Sequence, residues 1–140
     1  MRLLREFVNN FKMALRTKKK IFITKHKIIL IKIFQFLYSK GWIKNYEVKN
    51  IHLIDKNESI KRIKKKVILV HFLPSSSGTQ IIDIHNSLVN GKESVTYEDL
   101  IKNKRKDFII LLSTSMGIMT DSEAMRHQRG GIVLCVFEIS

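Results

Sequence analysis

FIILLSTSMGIMTDSEAMRHQRGGIVLCVF, residues 108–137, is the stretch that decides the fold of the C-terminal half of the chain. It begins and ends with short apolar runs, at 108–112 and 132–137, that are rich in Ile, Leu and Val. Short runs of this kind, bounded by turn-forming residues, are typical of buried strands. The stretch therefore predicts two buried strands separated by a polar segment.

The polar segment contains the predicted start and end of a short helix. Thr120 and Glu123 have the spacing of a capping box, in which the hydroxyl and the carboxylate each bind an amide at the helix start. Gly130 and Gly131 follow within about three turns, and glycine is the usual residue just beyond a helix end. The predicted order is strand, hydroxyl-rich turn, short helix, strand.

The turn carries three consecutive hydroxyl residues, Ser113, Thr114 and Ser115, with Gly117 close behind them. A hydroxyl both donates and accepts hydrogen bonds, and a glycine allows a close approach of the backbone. Such groups suit a sugar-phosphate surface. On its own, a Ser-Thr-Ser after a strand is more often a turn or a helix cap than a binding site.

The charge of the chain is strong and unevenly distributed. Twenty-six Lys and Arg against twelve Asp and Glu give a net charge of +14, and the pI is about 10.1. Residues 1–70 carry 19 basic and 4 acidic side chains, a net +15, whereas residues 71–140 carry 7 and 8, a net −1. This balance predicts a polyanion as partner. If the neutral half binds the same partner, it does so by shape and hydrogen bonds.

Lysines of the basic half are the candidates for phosphate contacts. They are Lys18, Lys19 and Lys20 in one run, with Lys25 and Lys27 a little further on. Lysine runs are usually solvated faces, but the net charge of this chain favours contact with phosphate.

The sequence argues against several other classes of protein. The single cysteine, Cys135, excludes an internal disulfide or a thiolate metal cluster, and its apolar strand predicts a buried structural thiol. The longest apolar run, 28–37, is too short to cross a membrane. The chain has neither a glycine-rich phosphate loop nor a nucleophile elbow, nor paired His or Cys ligands. We therefore expect no enzyme, no metal, no cofactor and no small-molecule substrate.

The predicted fold class is α+β, with two small lobes. Apolar residues at helical spacing from Leu4 to Leu15 predict a first core helix rather than a cleaved leader. The N-terminal lobe, 1–73, is predicted as helix-strand-helix-strand-strand. The C-terminal lobe, 74–140, is predicted as mostly β with one short helix, and the Pro-Ser-Ser-Ser-Gly at 74–78 marks the boundary.

Residues 113–121, together with Ala124, Gly130-Gly131 and Val133-Leu-Cys135, resemble the C-terminal signature of the small-subunit ribosomal protein S8 family. That signature is Ser-Thr-Ser, one residue, Gly-Val-Met-Thr-Asp, an Ala in the helix, and a late Gly-Gly before a final strand. Gly41-Trp42-Ile43 is similar to the Gly-aromatic-Ile that ends the second helix of the family.

The resemblance implies a two-lobed protein that binds the central domain of small-subunit ribosomal RNA and supports subunit assembly and translation. Its partners would be this RNA and neighbouring small-subunit ribosomal proteins. The residues that it implies as RNA contacts are Ser113, Thr114, Ser115, Gly117, Gly130 and Gly131.

The chain departs from the family pattern at positions that usually carry charge. Met116 stands where the family usually has a lysine, and Ile132 stands where it usually has a glutamate. The first departure removes an expected phosphate contact. The abundance of Ile, Lys and Asn, which have A/T-rich codons, and the presence of Met1 predict a divergent member made in a mitochondrion. A plastid and a bacterial cytoplasm are the alternatives.

Three other functions compete with this interpretation, one of them a membrane-surface helix at residues 3–16. An enzyme would need a base placed to activate a serine, and no spacing in the chain provides one. A free nucleic-acid-binding regulator remains an alternative, although the sequence has neither a helix-turn-helix nor the aromatic sheet of common RNA-binding modules. Co-sedimentation with the small subunit separates a ribosomal protein from a regulator.

Overall fold

The computed structural model describes residues 2–54, 62–74, 80–86 and 93–140. These ranges contain four helices and eight strands. In chain order they are α1 (Arg2–Arg16), β1 (Ile21–Lys25), α2 (Ile28–Ser39), β2 (Asn45–Ile54), β3 (Arg62–His71), β4 (Ile81–His85), β5 (Ser94–Val95), α3 (Tyr97–Lys102), β6 (Phe108–Thr114), β7 (Gly117–Thr120), α4 (Asp121–Arg126) and β8 (Gly131–Ile139). The predicted α+β class and the predicted order of the first half are confirmed. Most of the predicted boundary at 74–78 lies outside the described residues.

The chain divides into two compact units, one formed by residues 1–18 and 76–140 and the other by residues 19–75. The sequence assigned α1 to the N-terminal lobe, whereas in the structure α1 packs against β4 and β8. An amphipathic helix has a face to bury but does not specify which sheet buries it. The division into 1–73 and 74–140 stays a prediction.

The unit of residues 19–75 is a three-stranded antiparallel sheet in the order β1-β3-β2, together with α2. Leu30, Ile33, Phe34 and Leu37 recur at helical spacing on α2 and are fully buried. The ring of Phe34 lies 6.4 Å from that of Tyr46 on β2. A single apolar face thus fixes the helix to this sheet.

The unit of residues 1–18 and 76–140 is an antiparallel sheet in the order β4-β8-β6-β7, and β5 pairs with the start of β8. Helix α1 buries Leu4, Phe7, Val8, Phe11 and Ala14, so the predicted core helix is confirmed. A second cluster joins the sheet to the short helices; its buried members include Val95, Leu100, Leu112, Met119, Ala124 and Val133.

Cys135, in the middle of β8, is a buried free thiol, as predicted. Burial alone raises the pKa of this thiol far above its ordinary value, because a thiolate would lose its hydration. In the described part of the chain, every helix is too short or too polar to traverse a bilayer.

The segment after the first predicted strand is a β-hairpin, which the sequence analysis missed. Strand β6 continues through Thr114, Ser115 and Met116 form the turn, and β7 pairs back from Gly117. The prediction of a single long turn up to the helix was wrong. Gly117 has φ +108°, a conformation that L side chains rarely adopt, and it closes the turn without strain.

The glycine pair does not end α4, contrary to the prediction. The helix ends at Arg126, and Gln128 follows in the left-handed region at φ +54°. The Gln128 amide donates to the Met125 carbonyl at 3.1 Å, and the Arg129 amide donates to the Ala124 carbonyl at 2.9 Å. These two bonds are those of a Schellman motif, with glutamine in the place that glycine usually takes.

Gly130 and Gly131 instead allow three strands to approach one another. A Cβ atom on Gly130 would lie 2.2 Å from the Val95 carbonyl oxygen, and one on Gly131 would lie 2.5 Å from the Ser113 carbonyl oxygen. Both neighbours are backbone atoms and cannot rotate away. The glycine pair is therefore required by the packing of β8 between β5 and β6.

Asp121, the first residue of α4, is a buried acid with 2% of its surface exposed. Burial is the largest influence on its carboxyl group and raises its pKa above the ordinary 3.8. The Lys104 ammonium and amides that include that of Ile110 on β6 oppose this shift. The ladder between β6 and β7 ends at the pair formed by Leu111 and Thr120. At the next position the Asp121 carboxylate accepts a hydrogen bond from the Ile110 amide, so a side chain continues the pairing by one residue.

Replacing Gly131 by alanine tests the packing of the glycine pair. We expect Gly131→Ala to lower the free energy of unfolding by about 1–3 kcal/mol, because an added methyl group forces backbone atoms apart. Urea denaturation measures the change. Ile132→Ala, at the exposed neighbour on the same strand, is the control and should cost less. Equal decreases for the two variants would contradict the packing role of Gly131.

The raised pKa of Asp121 predicts a pH dependence with a definite sign. Between the ordinary pKa of 3.8 and the raised value, the folded chain binds more protons than the unfolded chain, so this group loses stabilising effect as the pH rises. We expect the stability of the wild type relative to Asp121→Asn to fall as the pH is raised from about 3.8 towards neutrality, in urea denaturation at a series of pH values.

Glu47 provides a control of opposite sign. A hydrogen bond from His71, at 3.2 Å, is the largest cause of the lowered pKa of this carboxyl group. The stability of the wild type relative to Glu47→Gln should therefore rise with pH through the region near 4.5. A stability of the wild type that rises with pH relative to Asp121→Asn, as it should relative to Glu47→Gln, would contradict the raised pKa of Asp121.

Candidate nucleic-acid interface

The three predicted hydroxyl residues lie at the end of β6 and in the turn that follows it. Ser113 is half-buried and pairs with Ile118 on β7 and with Ile132 on β8, whereas Ser115 is exposed at the turn. The structure thus brings all three residues together with Gly117 at one end of the sheet.

Thr114 has a structural part in this turn. Its hydroxyl donates to the Gly117 carbonyl at 2.9 Å and accepts from the Met116 amide at 3.1 Å. Both capacities of the hydroxyl are used inside the turn, in the manner of a side-chain-capped turn. Thr114 and Gly117 therefore shape the hairpin that presents their neighbours.

Ser113 belongs to a row that crosses the sheet. Its pairing places Ser113 on the same face as Ile118 and Ile132, and Ile132 also pairs with Ser94 on β5. Ile132 is 54% exposed. The row offers hydroxyl groups and apolar surface but no charge, which suits the edges of bases and sugars better than phosphates.

Arg129 is a candidate that sequence reasoning did not select. Its Nη1 atom donates a hydrogen bond to the Ser115 Oγ atom at 2.8 Å, and both residues are exposed. The guanidinium therefore brings a positive charge to a turn whose own residues, Ser115 and Met116, have none. The sequence signal was the basic residue just before Gly130, but its direction depends on the Schellman motif after α4.

The lysine run 18–20 is exposed and connects α1 to β1. Lys18 adopts a positive φ of 53°, and the carbonyl of Lys20 accepts a hydrogen bond from the Phe72 amide at 3.0 Å. The backbone of Lys20 is thus tied to Phe72 in its own unit, and the side chains of the run are exposed.

Lys25 and Lys27 stand at the end of β1 and just before α2, and both are exposed. The register places Lys25 opposite Val67, and Val67 lies opposite Lys49 on β2. Lys25 and Lys49 therefore share one face of the sheet, on either side of the central strand. Lys49 was not selected by sequence reasoning. Its Nζ atom lies 3.5 Å from the Glu47 Oε1 atom and forms an ion pair with that carboxylate.

The two units differ in net charge. Residues 19–75 hold 14 basic and 3 acidic side chains, a net charge of +11. Residues 1–18 and 76–140 hold 12 and 9, a net charge of +3. The β6–β7 hairpin with Ser113, Thr114 and Ser115 (the hydroxyl hairpin) thus belongs to a unit that is weakly charged even with α1 included.

Two basic side chains of α1 form ion pairs within the unit of residues 1–18 and 76–140. Asp83 lies with His85 and Glu138 in a group of ligand-type side chains, whose nearest atoms are within 4.8 Å of one another. Lys12 and Arg16 each place a nitrogen 3.9 Å from an oxygen of Asp83. These cations balance the acidic group and hold α1 against β4.

Comparison with known proteins identifies the family. The family model for Ribosomal protein S8 matches residues 3–137. The chain is similar to the small ribosomal subunit protein uS8 of Helicobacter pylori, with 28% identity over 109 residues that cover 76% of this chain and 75% of the relative. The protein of the same name from Helicobacter acinonychis shows the same identity and coverage. Because the family model spans nearly its whole length, this chain belongs to the ribosomal protein S8 family.

Proposed function

We propose that the chain is a structural constituent of the small ribosomal subunit, where it binds the central domain of the ribosomal RNA directly and supports subunit assembly and translation. The observation that carries this proposal is the hydroxyl hairpin of Ser113 and Ser115, which lies at one exposed end of a folded unit and within the residues that the family model matches. The S8 family consists of structural ribosomal proteins rather than enzymes.

The chemistry of the hairpin agrees with an RNA target. A-form RNA exposes 2′-hydroxyls and base edges in a wide, shallow groove, and its major groove is too narrow for side chains. Ser113 offers a hydroxyl that can donate and accept, and the apolar surface of Ile118 and Ile132 beside it can cover the flat side of a sugar or a base. In a unit of net charge +3, such contacts supply shape and hydrogen-bond recognition.

The unit of residues 19–75 would supply the attraction that does not depend on RNA sequence. Its net charge of +11 and the exposed lysines of β1 and β2 favour contacts with phosphates, which release counterions and strengthen binding at low salt. The hydroxyl hairpin and the lysines thus contribute different parts of the binding free energy. Neighbouring small-subunit ribosomal proteins would cover other surfaces.

The proposed location is the ribosome of a mitochondrion. The support is compositional, since Ile, Lys and Asn are abundant and have A/T-rich codons. The relatives named above are bacterial, and a plastid or a bacterial cytoplasm is the alternative location. Fractionation of the source cells, followed by detection of the chain in the small subunits of one compartment, decides among the three. If the chain remains outside every small-subunit fraction, it acts as a free regulator instead.

Truncating Ser113 tests specific recognition. We expect Ser113→Ala to weaken binding to small-subunit ribosomal RNA by roughly fivefold, the equivalent of one neutral hydrogen bond, with little change on an unrelated RNA duplex. Filter binding at fixed salt measures both affinities. Ser39→Ala removes an exposed hydroxyl from α2 and should leave both unchanged. A similar weakening on both RNAs would contradict specific recognition by Ser113.

Neutralising Lys25 or Lys49 tests the sequence-independent contribution. We expect Lys25→Gln and Lys49→Gln each to reduce the slope of log affinity against log salt by about one, because each variant neutralises one phosphate fewer. The ratio of affinities for ribosomal and unrelated RNA should stay constant. Lys102→Gln, which removes the same charge from the last turn of α3, is the matched control. An unchanged slope would exclude these lysines as phosphate-binding residues.

A further inference from the structure

Arg129 occupies an unusual place for a cation. It is the last residue of the Schellman motif that closes α4, a position whose side chain commonly packs on the helix as an apolar contact. In this chain the position holds an exposed arginine. The bond from the Arg129 amide to the Ala124 carbonyl, at 2.9 Å, fixes the backbone from which the side chain extends.

The guanidinium of Arg129 is also fixed at its far end. Its Nη1 atom donates to the Ser115 Oγ atom at 2.8 Å, across the gap between the end of α4 and the β6–β7 turn. The turn itself is held by the Thr114 hydroxyl and by Gly117. Arg129 therefore has a defined direction, and little rotamer freedom remains to be lost on binding.

The hydrogen-bonding capacity that remains on Arg129 is of one kind. A guanidinium has five N–H donors and no acceptor, and one of the five is used by Ser115. The guanidinium therefore presents its remaining N–H donors beside a full positive charge. Such a set matches the oxygens of a phosphate, which accept charge-assisted hydrogen bonds.

We propose that Arg129 and Ser115 form a clamp for one backbone phosphate of the bound RNA, with Arg129 as the contacting cation and Ser115 as the residue that positions it. This inference rests on the proposed function, because it takes the partner to be RNA. Ser115 then positions a cation, whereas Ser113 lies beside Ile118 and Ile132 in the uncharged row across the sheet. The clamp also places a charge-based contact in the weakly charged unit, at its hydroxyl hairpin.

The test uses the full-length chain, small-subunit ribosomal RNA purified from Helicobacter pylori, and an unrelated fully paired RNA duplex as the second probe. Filter-binding titrations from about 50 to 200 mM salt give the affinity and its salt slope. Arg129→Ala should weaken binding to both RNAs about tenfold at the lowest salt and reduce the slope by about one. Arg129→Lys should keep the slope and recover part of the affinity, because it keeps the charge but not the planar fork.

Lys106→Ala is the matched control, because Lys106 is exposed and lies just before β6, at the end of that strand opposite the turn. It removes the same charge from the same unit and should leave the slope nearly unchanged. Ser115→Ala should keep the slope and weaken binding a few fold, and the double variant with Arg129→Ala should bind no more weakly than Arg129→Ala alone. Thermal unfolding of each variant verifies that it is folded.

Equal slopes for Arg129→Ala, Lys106→Ala and the wild type would overturn the clamp, as would an additive double variant. The proposed function fails by a different result, namely equal affinity of the wild-type chain for the ribosomal RNA and the unrelated duplex. In that case the duplex titrations still decide on the clamp, since a phosphate contact alters the salt slope on any RNA.

Discussion

The close approach of β8 to its two neighbours is the constraint on which the candidate interface depends. Two adjacent glycines let the start of β8 pass between the Val95 and Ser113 carbonyls at distances that any side chain would prevent. The same approach fixes the end of β6, and therefore the turn that carries Ser115. It also sets the point at which the chain leaves α4, so Arg129 reaches that turn. The glycine pair therefore determines the shape of the candidate interface through backbone packing, and this role does not require contact with RNA.

The sequence predicted the helices and strands that are determined by the local residue pattern. It missed those that depend on contacts with residues distant in the chain. The buried strands around Leu111 and Cys135 were predictable because apolar runs of that length bury both faces. The hairpin was not, since β7 has four residues and its Ser115-Met116 turn has no Asn-Gly signal. The capping box at the start of α3 was also missed, because the third residue of that helix is Asp99 rather than the usual glutamate or glutamine.

The same distinction applies to the candidate interface. The family resemblance located the hydroxyl residues, but it gave one role to all three. The hydrogen bonds separate these roles: Thr114 closes the turn, Ser113 joins an apolar row, and Ser115 binds a guanidinium. Arg129 could not be selected from the sequence, because the direction of its side chain depends on the left-handed conformation of Gln128. Glycine usually marks such a position in a sequence, and here the residue is glutamine.

The departures from the family pattern become intelligible as a redistribution of charge. Met116 and Ile132 are exposed apolar side chains, at 55% and 54% exposure, in positions where the resemblance to the family signature implies a charge. The turn nevertheless has a cation, because Arg129 approaches it from the end of α4. A phosphate contact depends on where the charge lies rather than on which strand or turn supplies it. A chain without a lysine in the turn can therefore retain the contact, provided that the backbone after α4 is held firmly enough to direct another cation to the same place.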